Sequence, residues 1–159
     1  MRKTAVMISV TLGLLGGAAS ASLATQEIVF NQNRFVTIGN EALVKGKFER
    51  ASKFLRIAVK SNLSKAVMVN TLNNLCAADY LQDKLELAKE SCDKAIKLDP
   101  RAWRPYVIRG HIHANQGSIE LAELDYNKAQ KINPGDKISK RFLVKLETDK
   151  NLKLAQSGQ

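Results

Sequence analysis

The amino-acid sequence predicts an all-α fold, an α-solenoid of helix–turn–helix units with a C-terminal capping helix. Two observations carry this. Pro100 and Pro134, Ala95 and Ala129, and Ala88 and Ala122 each stand 34 residues apart, and one fixed period of that length marks a chain built from stacked supersecondary units. Within the period, helix-forming runs alternate with the glycine and proline punctuation that a helix pair needs in order to turn and stop.

The last unit is the clearest. Asp99-Pro100 reads as an N-cap followed by proline in the first turn, Trp103 to Gln116 is helix-forming, Gly117 is a stop, and Ser118 is placed to cap a second helix that ends before Asn133-Pro134. Shifted by one period, Cys76 falls opposite Gly110, Asp83 opposite Gly117 and Cys92 opposite Tyr126. The first unit is found by shape, since "GKFERASKFLRIA" from Gly46 matches "GSIELAELDYNKA" from Gly117 at an offset of 71 residues. That is two periods plus three, so an insertion of three residues is expected within "SNLSKAVMV". Small residues (Gly39, Gly110, Ala51, Ala88, Ala122) let the paired backbones approach, and Phe35, Leu72, Tyr106, Leu55 and Tyr126 fill the space between.

Aromatic, Gly, Gly, Ala, aromatic, Ala and Pro, in that order from Tyr106 to Pro134, resemble the tetratricopeptide repeat (TPR). The units are taken as residues 32–65, 69–102 and 103–136, a TPR domain over 32–136 of about three repeats, which is near the minimum for a stable stack. Residues 137–156 then form the capping helix, with Ile138, Phe142 and Leu146 on one stripe and lysines around the rest.

The N-terminus reads as an export signal. Arg2-Lys3, the apolar run "AVMISVTLGLL" and the small residues Ala19-Ser20-Ala21 have the form of a cleaved secretory signal over residues 1–21, with residues 22–31 as a linker. The expected location is outside the cytoplasm, in a bacterial periplasm. Removing Arg2 and Lys3 would lower the formal charge of +10 by two, and the remaining excess points to acidic protein partners rather than nucleic acid. Membrane-surface contact through the C-terminal helix is the weaker expectation, because aromatics are few there.

No nucleophile, phosphate-loop or metal motif is present, so no catalytic residue, metal site or cofactor is expected. His111 and His113 are two apart on one helix and cannot chelate together, while Asp79 and His113 occupy equivalent places and are expected either as a carboxylate–imidazole pair between stacked helices or as partly exposed groups at the groove edge. The TPR resemblance implies a non-enzymatic protein–protein interaction module that holds a peptide or partner segment in a concave groove lined by first helices. It places Asn33, Asn40, Asn70, Asn73, Asn74, Arg104, Ile108, His111 and Asn115 there. Asn40, Asn74 and Arg104 match three positions with which some TPR grooves grip a C-terminal carboxylate, but Val36 and Ile108 stand at the other two. The alternative is an assembly subunit of an envelope complex that docks through its basic convex face and C-terminal helix.

Cys76 and Cys92 have neither zinc nor CxxC spacing. An oxidising compartment would allow a disulfide between them. If Cys76 lay opposite Ala88, however, the Cα separation would exceed the bridging limit of about 7 Å, which leaves two buried thiols as the other reading.

Overall fold

The computed structural model describes residues 33–157, and the expected signal, the linker and the end of the C-terminal tail lie outside them. All regular structure among the described residues is helical: α1 (Asn33–Val44), α2 (Phe48–Ala58), α3 (Lys65–Tyr80), α4 (Leu85–Leu98), α5 (Trp103–Asn115), α6 (Ile119–Ile132) and α7 (Lys137–Ser157). The helices pack as successive antiparallel pairs, α1 with α2, α3 with α4 and α5 with α6, each pair stacked on the next.

One turn is used three times. Gly46, Asp83 and Gly117 each adopt a left-handed backbone, at φ 68°, 59° and 75°. The following amide returns to the carbonyl five residues back: Lys47 to Ala42 at 2.8 Å, Lys84 to Asp79 at 3.0 Å and Ser118 to His113 at 2.8 Å. This closes the last turn of α1, α3 and α5 by satisfying carbonyls that the helix end leaves open. Asp83 can replace glycine because a short polar side chain tolerates that conformation. Ser118 does not cap α6 with its side chain, contrary to expectation; its backbone is bent to ψ 69° by the turn. Asp99 likewise ends α4 rather than starting α5, and its carboxylate accepts from the Arg101 amide at 3.0 Å inside the connection.

The three extra residues are absorbed between α2 and α3. Helix α2 stops at Ala58, whereas α4 and α6 each run on past the equivalent Ala95 and Ala129, and the connection 59–64 is longer than 99–102 or 133–136.

Each pair is held by contact between a first-helix residue and the residue sixteen positions later on the second helix. A Cβ added to Gly39 would stand 2.6 Å from Leu55 Cγ, and one added to Gly110 would stand 2.7 Å from Tyr126 Cε1. Leu55 and Tyr126 are fully buried. Cys76 faces Cys92 in the same register, not Ala88, and the two are joined by a disulfide with Cα atoms 5.4 Å apart. Facing each other in register rather than one turn apart, the two Cα atoms fall inside the bridging limit of about 7 Å. Around these contacts lie three apolar clusters, centred on Leu55 and Leu75, on the disulfide with Ala88 and Ile112, and on Tyr106 with Ala129.

The disulfide closes a loop of about 15 residues and is worth about 3 kcal/mol in the chain-entropy model. Urea unfolding with and without reductant should show that loss as a lower midpoint, and C76A/C92A should be insensitive to reductant.

Candidate partner-binding groove

First helices α1, α3 and α5 lie side by side, so residues at the same helical phase form a row across them. Asn74 donates its Nδ2 to Asn40 Oδ1 at 3.0 Å, and Asn73 donates its Nδ2 to Asn74 Oδ1 at 3.0 Å. The chain of amides leaves Asn73 Oδ1 buried without a hydrogen-bond partner. That is an acceptor awaiting a donor, since a buried polar atom left unpaired is costly. Asn73 and the exposed Asn70 line a cavity of about 200 Å³ whose far wall is Trp103, Arg104 and Pro105. The Arg104 guanidinium is exposed and lies 4.9 Å from the centre of the Trp103 ring, so its charge is available to a ligand while its plane rests on the indole.

The other expected groove residues are placed differently. Asn33 opens α1, and its side chain lies outside the described residues. Ile108 packs against the apolar cluster around the disulfide. Asn115 is exposed and donates to the Tyr80 hydroxyl at 3.4 Å. His111 is half-buried: its Nδ1 is 2.6 Å from the Tyr126 hydroxyl and its ring centre is 4.4 Å from that of Phe142 on α7. Burial pushes the His111 imidazole below its ordinary value and the Tyr126 phenol upward, so both uncharged forms are favoured across this hydrogen bond. The contact follows from stacking. Helix α7 occupies the place of a further first helix, and Phe142 meets His111 as Asn74 meets Asn40.

Asp79 and His113 do not pair. The fully buried Asp79 accepts from Arg56 of the preceding unit at 2.6 Å, and desolvation raises its carboxyl above the ordinary range despite that cation. His113 Nε2 is 3.8 Å from Asp125 Oδ2. Asp125 in turn takes two bonds from Arg109, at 2.8 and 2.7 Å, whose third goes to Asp93 at 2.6 Å. Arg109 went unnoticed in the sequence, although Asp93 and Asp125 stand sixteen residues on either side of it, the spacing of the pair contacts. Among the described residues no cluster of His, Cys, Asp and Glu could hold a metal ion, and no helix is long and apolar enough to cross a membrane.

A row of antiparallel helix pairs with small-against-large contacts and a polar row on the first helices defines the class: the chain has the fold of tetratricopeptide-repeat proteins. Residues 104–136 match the family model described as Tetratricopeptide repeat. The sequence is similar to sperm-associated antigen 1 of Mus musculus, 28% identical over 130 residues, covering 82% of this chain and 14% of that protein. The Rattus norvegicus counterpart is 26% identical over the same length and share. The chain thus spans only a small part of the relatives it matches. The fold is similar to the first TPR domain of Spaghetti (RPAP3) bound to the HSP90 peptide SRMEEVD, with a TM-score of 0.68 and 19% identity, covering 74% of this chain and 91% of that one. It is also similar to MamA, with a TM-score of 0.67 and 20% identity over 77% of this chain and 70% of that one.

Burial lowers the imidazoles of both His111 and His113. The unfolded chain takes up protons at these groups near pH ~6.5, more readily than the folded chain does, so stability falls as pH drops below about that value. The raised carboxyl of Asp79 works in the opposite direction on further acidification. Urea titrations from pH 7 to 5.5 should show a decline that is flattened in H111Q/H113Q.

Proposed function

We propose that this chain is a non-enzymatic protein-interaction module that holds an extended segment of a partner protein along the row of first helices. The observation that carries the reading is the amide chain Asn40–Asn74–Asn73, ending on the buried, unpaired Asn73 Oδ1 beside a cavity that Arg104 overlooks. An amide side chain both donates and accepts, so such a row can bond a peptide backbone without requiring a particular side chain. A backbone N–H of the bound segment would satisfy Asn73, and Arg104 would favour a carboxylate on the same segment.

The peptide in the Spaghetti structure, SRMEEVD, is acidic, and the basic balance of this chain favours partners of the same sign. With Val36 and Ile108 at two of the carboxylate-gripping positions, and Ile108 packed against the core, the grip proposed here relies on backbone contacts with Arg104 as the charged end. The form of residues 1–21 supports export, so the expected setting is the bacterial cell envelope, with the partner a periplasmic protein.

A second reading, an assembly subunit docking through α7, is favoured by one feature. Ile138 and Val144 are 51% and 57% exposed on a helix rich in lysine. The two readings separate in one capture experiment on an envelope extract. N40A/N74A/R104A should lose the partner at least tenfold, the scale on which groups at the centre of an interface act, while I138D/V144D retains it. Retention by the triple variant with loss in I138D/V144D would reject the groove and select the helix. Circular dichroism should be unchanged in both, since the replaced side chains lie outside the apolar clusters.

A further inference from the structure

The larger cavity lies away from the amide row. Between α2, α3 and α4 is a cleft of about 790 Å³. Its floor is apolar, made by Val59, Met68, Leu72, Leu75 and Leu98, and four cations border it: Arg56, Lys60, Lys94 and Lys97. Glu90 is the one acid in its lining, and it is bound at 2.6 Å to Lys94. Arg56 is committed to Asp79 at 2.6 Å. Lys60 and Lys97 are both exposed and have no acidic partner among the described residues.

The cleft is where the repeat is broken. Helix α2 ends early and the long connection 59–64 carries Val59 and Lys60 to the rim. Half-buried Val59 and Met68 and the 38% exposed Leu98 therefore border an open space beside the C-terminal halves of α2 and α4, over a base of buried Leu72 and Leu75. Along α4 the lining runs from Glu90 to Leu98, about 12 Å at the helical rise. A cleft so short, with a volume inside the range of about 300–1,000 Å³ seen for small-molecule sites, suits a compact ligand, and an extended protein segment would overrun it.

Apolar floor and unpaired cations together specify the ligand's chemistry. We infer that this cleft binds a small anionic amphiphile, whose apolar chain covers Val59, Met68 and Leu98 and whose anionic head is met by Lys60 and Lys97. Met68 suits such a site because an unbranched thioether adapts to an irregular chain. The lysine stems can lie along the apolar wall with their ammonium groups at the mouth. The inference is independent of the groove, since it shares no residue with the amide row.

Titration calorimetry with laurate, kept below its micelle concentration, tests it against dodecylamine and against an acidic amphipathic peptide. Saturable one-to-one binding of laurate is expected, with dodecylamine binding at least tenfold more weakly. K60E/K97E should weaken laurate about tenfold or more, as expected for losing charge-assisted hydrogen bonds. K137E/K140E on α7 makes the same change in net charge and should stay within about twofold. K60Q/K97Q should show the same loss if the reversal disturbs the helical circular dichroism. Absence of saturable binding, equal binding of dodecylamine, or equal weakening in K137E/K140E would overturn the inference. Binding of the peptide without laurate would also overturn it and assign the cleft to a protein.

Discussion

Everything in this fold depends on how closely the two helices of each unit can approach. The approach is set sixteen residues apart by one small and one large side chain, Gly39 under Leu55 and Gly110 under Tyr126, with Cβ clearances below 3 Å. No side chain larger than hydrogen fits at either glycine without displacing a fully buried neighbour. In the middle unit the contact is covalent, with Cys76 and Cys92 sharing the space that glycine and a bulky residue divide elsewhere. The consequences extend beyond the pairs. Tyr126, fixed over Gly110, presents its hydroxyl to His111 and its ring to Phe142 at 5.4 Å, which seats α7 and closes the stack.

The same register orders the charges. Arg109 reaches Asp125 sixteen residues on and Asp93 sixteen residues back, so it ties α5 to its own partner helix and to the preceding one. Arg56 and Asp79 make the corresponding tie between the first two units. Both pairs are partly or wholly shielded from water, where removing one partner costs much more than the pair contributes. These ion pairs fix which helix sits against which, while the apolar clusters supply most of the burial.

How much of this was legible follows from what each residue type constrains. The period, the helix pairs and the turns could be read because steric demands leave marks in sequence: glycine where φ is positive or backbones touch, alanine at the crossings, proline after the helix ends. The polar contacts could not, because a carboxylate accepts any donor that packing brings near. Asp79 met Arg56 rather than His113, and Ser118 kept its side chain out of a cap because its backbone was already committed to the preceding turn. The groove was legible in part. Asn40 and Asn74 could be placed once the inserted residues were located, but His111 could not, since its position depends on α7 stacking as one more first helix.

The three inserted residues have a structural meaning that a repeat count hides. A regular stack would bring the C-terminal end of α2 against the next unit as Ile96 of α4 packs on the cluster around Tyr106 and Val107. Val59, which follows the shortened α2, still packs on the cluster that holds Leu75, but the chain then turns into the longer connection, and Met68 and Leu98 are left beside an open cleft. A partly exposed apolar wall marks a surface that a ligand can cover, and the exposed lysines at its mouth favour an anion there. Departure from the repeat therefore creates a second kind of surface. The amide row recurs with the stack and suits a polymer laid across it, whereas the cleft occurs at the single irregular step and suits a compact ligand.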